Sequence, residues 1–245
     1  MKKIKYLNWN RFKRISLVKT LWFNFYKLPF KQAVKLPIVV SKYTDLRKLS
    51  GDIVIKSEAY FGMITIGFAG DDTVSPKSNR VFIYINKGRL VFEGKSNIGC
   101  GNVIRINHGV LTLGNDFTSG ANVKFYCWNK ISIGRTCRVA WESQILDTNF
   151  HFLKNLETGE VGNIFGEIII GDFCWIGNRC SLTKKAALPN HTTVASNSFV
   201  NKDFRQIALG NTIIAGSPAK IQAEGYERVF NKDEEKRLKS RFNIV

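Results

Sequence analysis

The sequence has no apolar run of the ~18 residues that a membrane-spanning helix needs, because charged residues interrupt each stretch sooner. Its basic N-terminus, MKKIKYLNWNRFKRISLVK, also lacks the unbroken apolar core and small-residue cleavage site of a signal peptide. Together these two absences predict a cytoplasmic protein.

Cysteine is scarce, and no two cysteines stand in a C-x-x-C arrangement. A zinc or redox motif is therefore not expected, and no metal is predicted. We interpret the cysteines as small buried residues. They are Cys100, Cys127, Cys137, Cys174 and Cys180.

Acidic residues are rare near the N-terminus. Residues 1–50 hold 13 of the 37 Lys and Arg residues but one of the 19 acids, Asp45. The net charge of +18 is thus concentrated at one end, which favours an anionic surface or substrate as partner. Charge alone would also permit DNA, but the basic segment has no helix-turn-helix pattern, so nucleic acid is not expected.

Aliphatic residues return every six positions through much of the chain. The clearest series is Ile170, Ile176, Leu182, Leu188, Val194 and Val200. Two positions before them stand mostly small residues: Ile168, Cys174, Cys180, Ala186, Thr192 and Ser198. Earlier members of the same pattern are Phe92, Ile98, Ile104, Leu113, Ser119, Phe125, Ile133, Val139 and Ile145.

This period of six matches neither an α-helix nor one long strand, but it does match a short strand and a tight corner, repeated. The aliphatic and small residues should point inward, and the Gly that often follows should adopt the unusual backbone angles of the turn. Groups of three such residues, one for each side of a coil, begin at residues 92, 113, 133, 170 and 188. The interval from 133 to 170 is longer than the other intervals by about one coil. We therefore predict that residues 147–166 form a loop inserted between coils.

Three C-terminal segments carry a family resemblance: IGDFCWIGNRC, VASNSFVNKD and IIAGSPAKI. They resemble the IGxxxWIG, GAGSxVxKD and xxAGxPAKx segments of hexapeptide-repeat acyltransferases, and the resemblance extends over roughly residues 60–222. It implies an all-β fold, a left-handed parallel β-helix. The chain departs from the family at residues 196–198, which read SNS, and at residues 204–211, where the turn is longer.

The resemblance implies transfer of an acetyl or similar group from acetyl-CoA, or another acyl-CoA, to a hydroxyl or amine. The family's catalytic histidine lies in a polar loop before the WIG segment, and His151 occupies that place. An imidazole suits a general base because its pKa is near neutrality. Asp147 and Asn149 could orient it, or the two residues could cap the loop instead.

The resemblance also assigns binding residues. Those expected to bind the acyl donor are Trp175, Ser196, Asn197, Ser198, Lys202 and Lys220. Those expected to line the acceptor pocket are Asn122, Trp141 and Glu142. The family is usually a homotrimer with active sites between subunits, and no nucleophilic Cys or Ser triad is evident. Direct transfer in a ternary complex is therefore favoured.

The chain ends have helical patterns. Residues 15–28 place Ile15, Val18, Leu21, Trp22, Phe25 and Leu28 on one face, which could pack on the β-helix or lie on an anionic membrane at its inner face. Residues 230–241 predict a short exposed helix capped by Asn231. The predicted division is a basic, aromatic helical segment 1–50, a β-helix 51–222 and a helical tail 223–245.

The function expected from these features is O-acetylation of a sugar or a lipid-linked saccharide in capsule, exopolysaccharide or lipopolysaccharide biosynthesis. Two alternatives stay open. One is N-acylation of a nucleotide-linked amino sugar, and the other is a non-catalytic hexapeptide-repeat scaffold.

Overall fold

The structure, a computed structural model, describes residues 13–68 and 74–244. Residues 1–12 of the predicted basic segment, residues 69–73 of the predicted β-helix and Val245 lie outside the described residues. The chain runs repeatedly through three parallel sheets in a fixed order, so that it forms a parallel β-helix with three faces, a triangular prism.

The strands are assigned to the three sheets, named I, II and III, in the order in which the chain visits them. Sheet I consists of β1 (Ile38–Val40), β4 (Ile64–Ile66), β7 (Ser96–Ile98), β10 (Phe117–Ser119), β13 (Arg138–Val139), β16 (Trp175–Ile176), β19 (Thr193–Val194), β21 (Thr212–Gly216) and β22 (Ala219–Glu224). Sheet II consists of β2 (Thr44–Leu49), β5 (Val81–Asn86), β8 (Val103–Asn107), β11 (Lys124–Cys127), β14 (Gln144–Leu146), β17 (Ser181–Thr183) and β20 (Phe199–Val200). Sheet III consists of β3 (Asp52–Ile55), β6 (Arg89–Phe92), β9 (Val110–Leu113), β12 (Lys130–Ile133), β15 (Ile168–Ile170) and β18 (Ala187–Leu188).

The six-residue register of the sequence is confirmed. Every aliphatic or aromatic member of the series is buried in the core, and so is Ser119. Members one coil apart pair directly, as Leu113 does with Ile133 and Ile133 with Ile170. Stacking identical positions in this way fills the prism with one continuous apolar core.

Small polar side chains link successive coils at the corners. The Ser143 hydroxyl donates to the carbonyl oxygen of Gly177 at 2.8 Å. The thiols of Cys137 and Cys174 donate to the carbonyl oxygens of Gly171 and Pro189. Small residues are thus needed here because the corner has little space and because their side chains donate hydrogen bonds to backbone carbonyls of the neighbouring coil.

The glycines do not serve the role that the sequence suggested. Gly114 and its equivalents lack a positive φ, and the left-handed residue comes two positions later, as at Asp116 (φ 58°) and Phe173 (φ 56°). A Cβ on Gly114 would stand 2.3 Å from the backbone of Gly134. Glycine is required because stacked coils approach too closely for a side chain.

The N-terminal end of the prism is closed by helix α1 (Leu17–Lys27) and the short α2 (Phe30–Ala33). Phe23 is fully buried and belongs to the core. Asn24 accepts a hydrogen bond from the Ile38 N–H (3.1 Å) and donates to its carbonyl (2.7 Å), and the Thr20 hydroxyl accepts from the Val40 N–H. Helix α1 thereby satisfies the free edge of β1.

Of the two possibilities for the apolar face of α1, packing on the β-helix is not what the structure shows. Thr20 and Asn24, which lie outside that apolar face, are the residues buried against β1. Leu21, Trp22 and Phe25, which belong to the apolar face, are about half exposed. The physical reason is that a strand edge needs hydrogen-bond partners, which an apolar face cannot supply.

The C-terminal end is closed differently. Phe204 is fully buried in the core beside β18, and its N–H donates to Ala187. Strand β22 turns back antiparallel to β21 and ends the sheet. Helix α3 (Lys232–Arg241) follows, with the Asn231 side chain accepting from the N–H groups of Asp233 and Glu234, as the sequence predicted for the cap.

The β-helix begins earlier than the predicted boundary at residue 51. Strand β1 already pairs with β4, and β2 pairs with β5. The predicted helical segment 1–50 therefore contains two strands of the first coil. Its charge, which suggested a separate segment, lies partly on the outer surface of that coil, at Arg47 and Lys48.

We expect Asn24→Ala to lower the free energy of unfolding by about 1–3 kcal/mol, because it leaves the Ile38 backbone groups buried without partners. Val18→Ala, an exposed change on the same helix, should stay within about 0.5 kcal/mol of the wild type. Urea unfolding followed by circular dichroism measures both. Equal stability of the two variants would show that the edge of β1 does not depend on α1.

Candidate active site

The break in the six-residue pattern is a protruding arm, residues 147–167, between β14 and β15 at the corner of sheets II and III. Its two sides face each other through antiparallel bridges, Thr148 with Phe165 and Lys154 with Val161. The side chain of Asn155 accepts from two N–H groups in the turn at its tip. The predicted insertion is therefore an ordered hairpin-like arm.

His151 lies on this arm. It is exposed, and it makes no hydrogen bond or ion pair with any residue in ranges 13–68 and 74–244. Phe150, the residue before it, has a φ of 63°, an unusual conformation for a bulky side chain. Edge-on contacts of Phe150 with Tyr126 and Trp128, at ring-centroid distances of 5.7 and 5.2 Å, anchor the base of the arm.

Asp147 is not beside the imidazole. It is buried, and its carboxylate accepts from the N–H groups of Trp128 (2.8 Å) and Asn129 (2.7 Å) on the preceding coil. Burial raises the pKa of Asp147 above its ordinary value, although these two N–H groups oppose the shift. Asp147 thus caps the corner from which the arm leaves, which is the alternative role considered from the sequence.

Asn149 is exposed next to His151, and its backbone N–H donates to Ile164 across the arm. Its side chain makes no hydrogen bond among the described residues. Of the two predicted orienting residues, Asn149 is the one whose side chain is free to contact the imidazole.

The other two histidines lie at other positions on the prism. His191 stacks on Phe173 at 4.9 Å, and its Nδ1 lies 2.7 Å from Glu227 Oε2. His108 is an exposed corner residue with a φ of 65°.

The predicted acceptor residues lie at a different corner, between sheets I and II. Asn122, Glu142 and Asn197 occupy equivalent left-handed positions there, with φ of 58–60°. Trp141 is half exposed, and Glu142 pairs with Arg179 at 2.7 Å. These side chains form a ridge along the prism.

Two of the three residues in the SNS turn are accessible. Ser196 and Asn197 are exposed on the same ridge, and the Ser196 hydroxyl donates to Asn178. Ser198 is buried, its hydroxyl donating to Ala195 and accepting from the Gly216 N–H. The Ser198 side chain therefore holds the corner together and does not face a surface ligand.

Trp175 projects from sheet I and is 38% exposed. The Arg228 guanidinium lies 5.1 Å from its ring centroid and 5.3 Å from that of Phe230, so the C-terminal segment covers part of this face. Partial burial lowers the pKa of Arg228. Sequence patterns do not indicate Arg228, because it reaches Trp175 from 53 positions further along the chain.

Lys202 and Lys220 lie near the C-terminal end of the prism. Lys202 is exposed above the Phe204 ring at 4.9 Å, and Lys220 is exposed on β22. Neither forms an ion pair within the described chain.

None of the five cysteines is placed to attack a surface ligand, because all are buried. The hydrogen bond with Cys174 lowers the pKa of Cys137, but that thiol is enclosed in the core. Burial raises the pKa of Cys127 and of Cys180, which disfavours the thiolate. Among the described residues, no group of three or more His, Cys, Asp or Glu could hold a metal ion.

The predicted site residues thus fall into separate places on one chain. His151 and Asn149 project from the corner of sheets II and III, which is opposite sheet I and Trp175 in a three-sided prism. Six positions of chain separate Asp147 from Trp141, at most roughly 20 Å at ~3.3 Å per residue. Within one chain these residues therefore leave the prism at different corners.

Comparison with solved structures supports the fold. The chain has the left-handed parallel β-helix fold of the hexapeptide-repeat acetyltransferases, as the sequence predicted. The crystal structure of the polySia-specific acetyltransferase NeuO matches with a TM-score of 0.56 and 18% identity, covering 83% of this chain and 99% of that chain.

Two sequence relatives are informative. A polysialic acid O-acetyltransferase from Neisseria meningitidis is 39% identical over 55 residues, 22% of this chain and 26% of the relative. An uncharacterized 24.8 kDa protein in the cps region of Klebsiella pneumoniae is 28% identical over 153 residues, 62% of this chain and 66% of the relative. The matches thus span about a quarter and just under two thirds of these relatives' lengths. No protein-family model matches the chain.

Proposed function

We propose that the protein is an acetyl-CoA-dependent O-acetyltransferase that modifies a saccharide hydroxyl during synthesis of a capsule or related surface polysaccharide. The observation that carries the proposal is His151, an exposed imidazole without a partner in the described chain, on an ordered arm that interrupts the β-helix. The similarity to a polysialic acid O-acetyltransferase and to a cps-region protein supports the choice of acceptor.

His151 acts as the general base. Acetyl-CoA supplies the thioester carbonyl that the acceptor oxygen attacks. The imidazole takes the proton of the acceptor hydroxyl as the new carbon–oxygen bond forms, and later returns a proton to the departing sulfur. Asn149 is proposed to orient the ring, since the Asp147 carboxylate is engaged by the preceding coil.

The acyl donor is proposed to bind along sheet I and the corner of sheets I and II. Trp175 would pack on the thioester arm, and Ser196 and Asn197 would offer polar groups to it. Lys202, Lys220 and Arg228, which form no ion pair with any described residue, would be available for its phosphates. The acceptor sugar would contact Asn122, Trp141 and Glu142.

The complete site is proposed to form between copies of the chain in a homotrimer. The arm and Trp175 lie on opposite sides of one prism, so an arm can meet a Trp175 if that tryptophan belongs to a neighbour. A ring of three chains related by rotation would create three such equivalent sites.

We expect His151→Asn to lower turnover of a thioester with a saccharide acceptor by ~10²-fold or more, because proton removal from the hydroxyl loses its base. The matched control is His108→Asn, an exposed histidine at the same corner two coils away, which should retain wild-type turnover. Thiol release from acetyl-CoA measures both. Wild-type turnover in His151→Asn would remove the catalytic assignment.

The protein is also proposed to contact an anionic membrane surface through α1. No helix in the described ranges is long and apolar enough to cross a bilayer. On the outward side of α1, however, several large apolar side chains are about half or more exposed, and the first coil carries exposed bases at Arg47 and Lys48. The apolar side chains are Leu17, Val18, Leu21, Trp22, Phe25 and Tyr26. Such a face suits the bilayer interface, where lipid-linked saccharides are found.

We expect the double change Trp22→Ser and Phe25→Ser to weaken binding of the full chain to phosphatidylglycerol-containing vesicles by ~10-fold or more, because interfacial binding scales with buried apolar area. The double change Ile207→Ser and Leu209→Ser removes exposed apolar residues from the opposite end of the prism and should have little effect. Co-sedimentation measures both. Equal losses in the two variants, or none in the first, would reject the membrane contact.

A further inference from the structure

The outer face of sheet II carries aromatic rings and basic side chains in neighbouring coils. We call this surface the sheet II strip; it consists of Arg47, Lys48, Phe82, Tyr84, Arg105, Lys124, Tyr126 and Trp128. It spans four adjacent strands, β2, β5, β8 and β11, about 14 Å at ~4.8 Å per strand. None of its residues has a part in the acetyl transfer described above.

Arg105 is the centre of the strip. Its guanidinium lies 5.4 Å from the ring centroid of Tyr84 on one neighbouring coil and 5.2 Å from that of Trp128 on the other. It is exposed and has no hydrogen-bond acceptor within residues 13–68 and 74–244. The two rings hold the guanidinium in place while its N–H groups stay free for a carboxylate.

A shallow cavity of about 420 Å³ adjoins Arg105. Its lining includes Arg47, Phe82, Tyr84 and Tyr126. Arg47 is positioned over the Phe82 ring at 4.8 Å and by Asp45 at 3.1 Å. The volume lies within the range of small-ligand pockets, and basic and aromatic groups surround it.

The bases of sheet III show that the charge on sheet II is unusual for this protein. On and beside sheet III, Arg89 pairs with Asp52, and Lys130 pairs with Glu167. On sheet II, Arg47 pairs with Asp45, but Lys48, Arg105 and Lys124 form no ion pair in the described part of the chain. The strip is therefore a local positive surface, complementary to an anionic ligand.

The strip leads directly to the proposed catalytic arm. Phe150 packs edge-on against Tyr126 and Trp128 at its end, and the next residue is His151. A polymer lying along the strip would thus approach the general base. This continuity favours a saccharide chain over a nucleic acid as the ligand. A guanidinium also lies over each of the Phe82, Tyr84 and Trp128 rings, so less ring surface is left for stacking of nucleic-acid bases.

We propose that the sheet II strip binds a carboxylated polysaccharide, with Arg105 gripping a sugar carboxylate, and holds the polymer while a distal residue enters the site at His151. The proposal rests on the function proposed above, whose acceptor it specifies as a long anionic chain. Binding here is separate from the chemistry, so it affects the capture of long acceptors and not the transfer step.

The test compares Arg105→Gln with Arg89→Gln, which removes one exposed arginine from sheet III instead. Binding of polysialic acid to the full-length proteins is measured by thermophoresis at fixed ionic strength, with dextran and single-stranded DNA as comparison polymers. Arg105→Gln should weaken polysialic acid binding ~10-fold, and Arg89→Gln less than ~2-fold, since the former loses a charge-assisted contact. Dextran should not bind, and DNA should bind more weakly.

Acetyl transfer supplies a second readout. Arg105→Gln should raise KM for the polymer with kcat unchanged, and should leave the kinetics with a sialic acid monosaccharide unchanged. Equal losses in both variants, no loss in either, DNA binding as tight as polysialic acid, or a change of oligomeric state in Arg105→Gln would each overturn the proposal. If any of these results came with wild-type transfer to polysialic acid, the strip proposal would fail and the proposed function would stand. Polymer binding without any acetyl transfer would support the strip and contradict the proposed function.

Discussion

The structure depends on one constraint: each coil must stack on the next with the same positions facing inward. Buried residues such as Ile133 and Ile170 pair directly across coils, and corner glycines allow the turns to approach within contact distance. The prism walls are therefore rigid and repetitive. A side chain on them is either core or part of a flat outer face, which leaves little freedom to shape a cleft.

The proposed function accordingly relies on the arm, where the stacking is interrupted, and on side chains of the flat outer faces. The arm at residues 147–167 leaves the prism at a corner that the Asp147 carboxylate ties to the preceding coil, and it carries His151 outward. The flat faces carry Trp175 on sheet I and Arg105 on sheet II. Since these lie on different sides, association of several copies is the simplest way to combine them, and the rigid prism fixes their relative positions.

The sequence predicted the repeat, its register and the position of the arm, because each follows from a period that every coil repeats. It did not predict the packing of α1. An amphipathic pattern identifies the most apolar face of a helix, whereas the edge of β1 is covered by the face that provides the hydrogen bonds of Thr20 and Asn24. Nor did the sequence decide between the two roles considered for Asp147, or predict the approach of Arg228 to Trp175. Those contacts join residues on different coils or a tail to a coil, and no local pattern encodes them.

The central claim is that His151 of one copy works with Trp175 of another. Two inactive variants, His151→Asn and Trp175→Ala, can be co-expressed with different tags, and mixed trimers isolated through both tags. One interface in three then joins an intact arm to an intact tryptophan, so the account predicts about one third of wild-type turnover. Mixed trimers no more active than either parent would show that the two residues do not meet across subunits, and would contradict it.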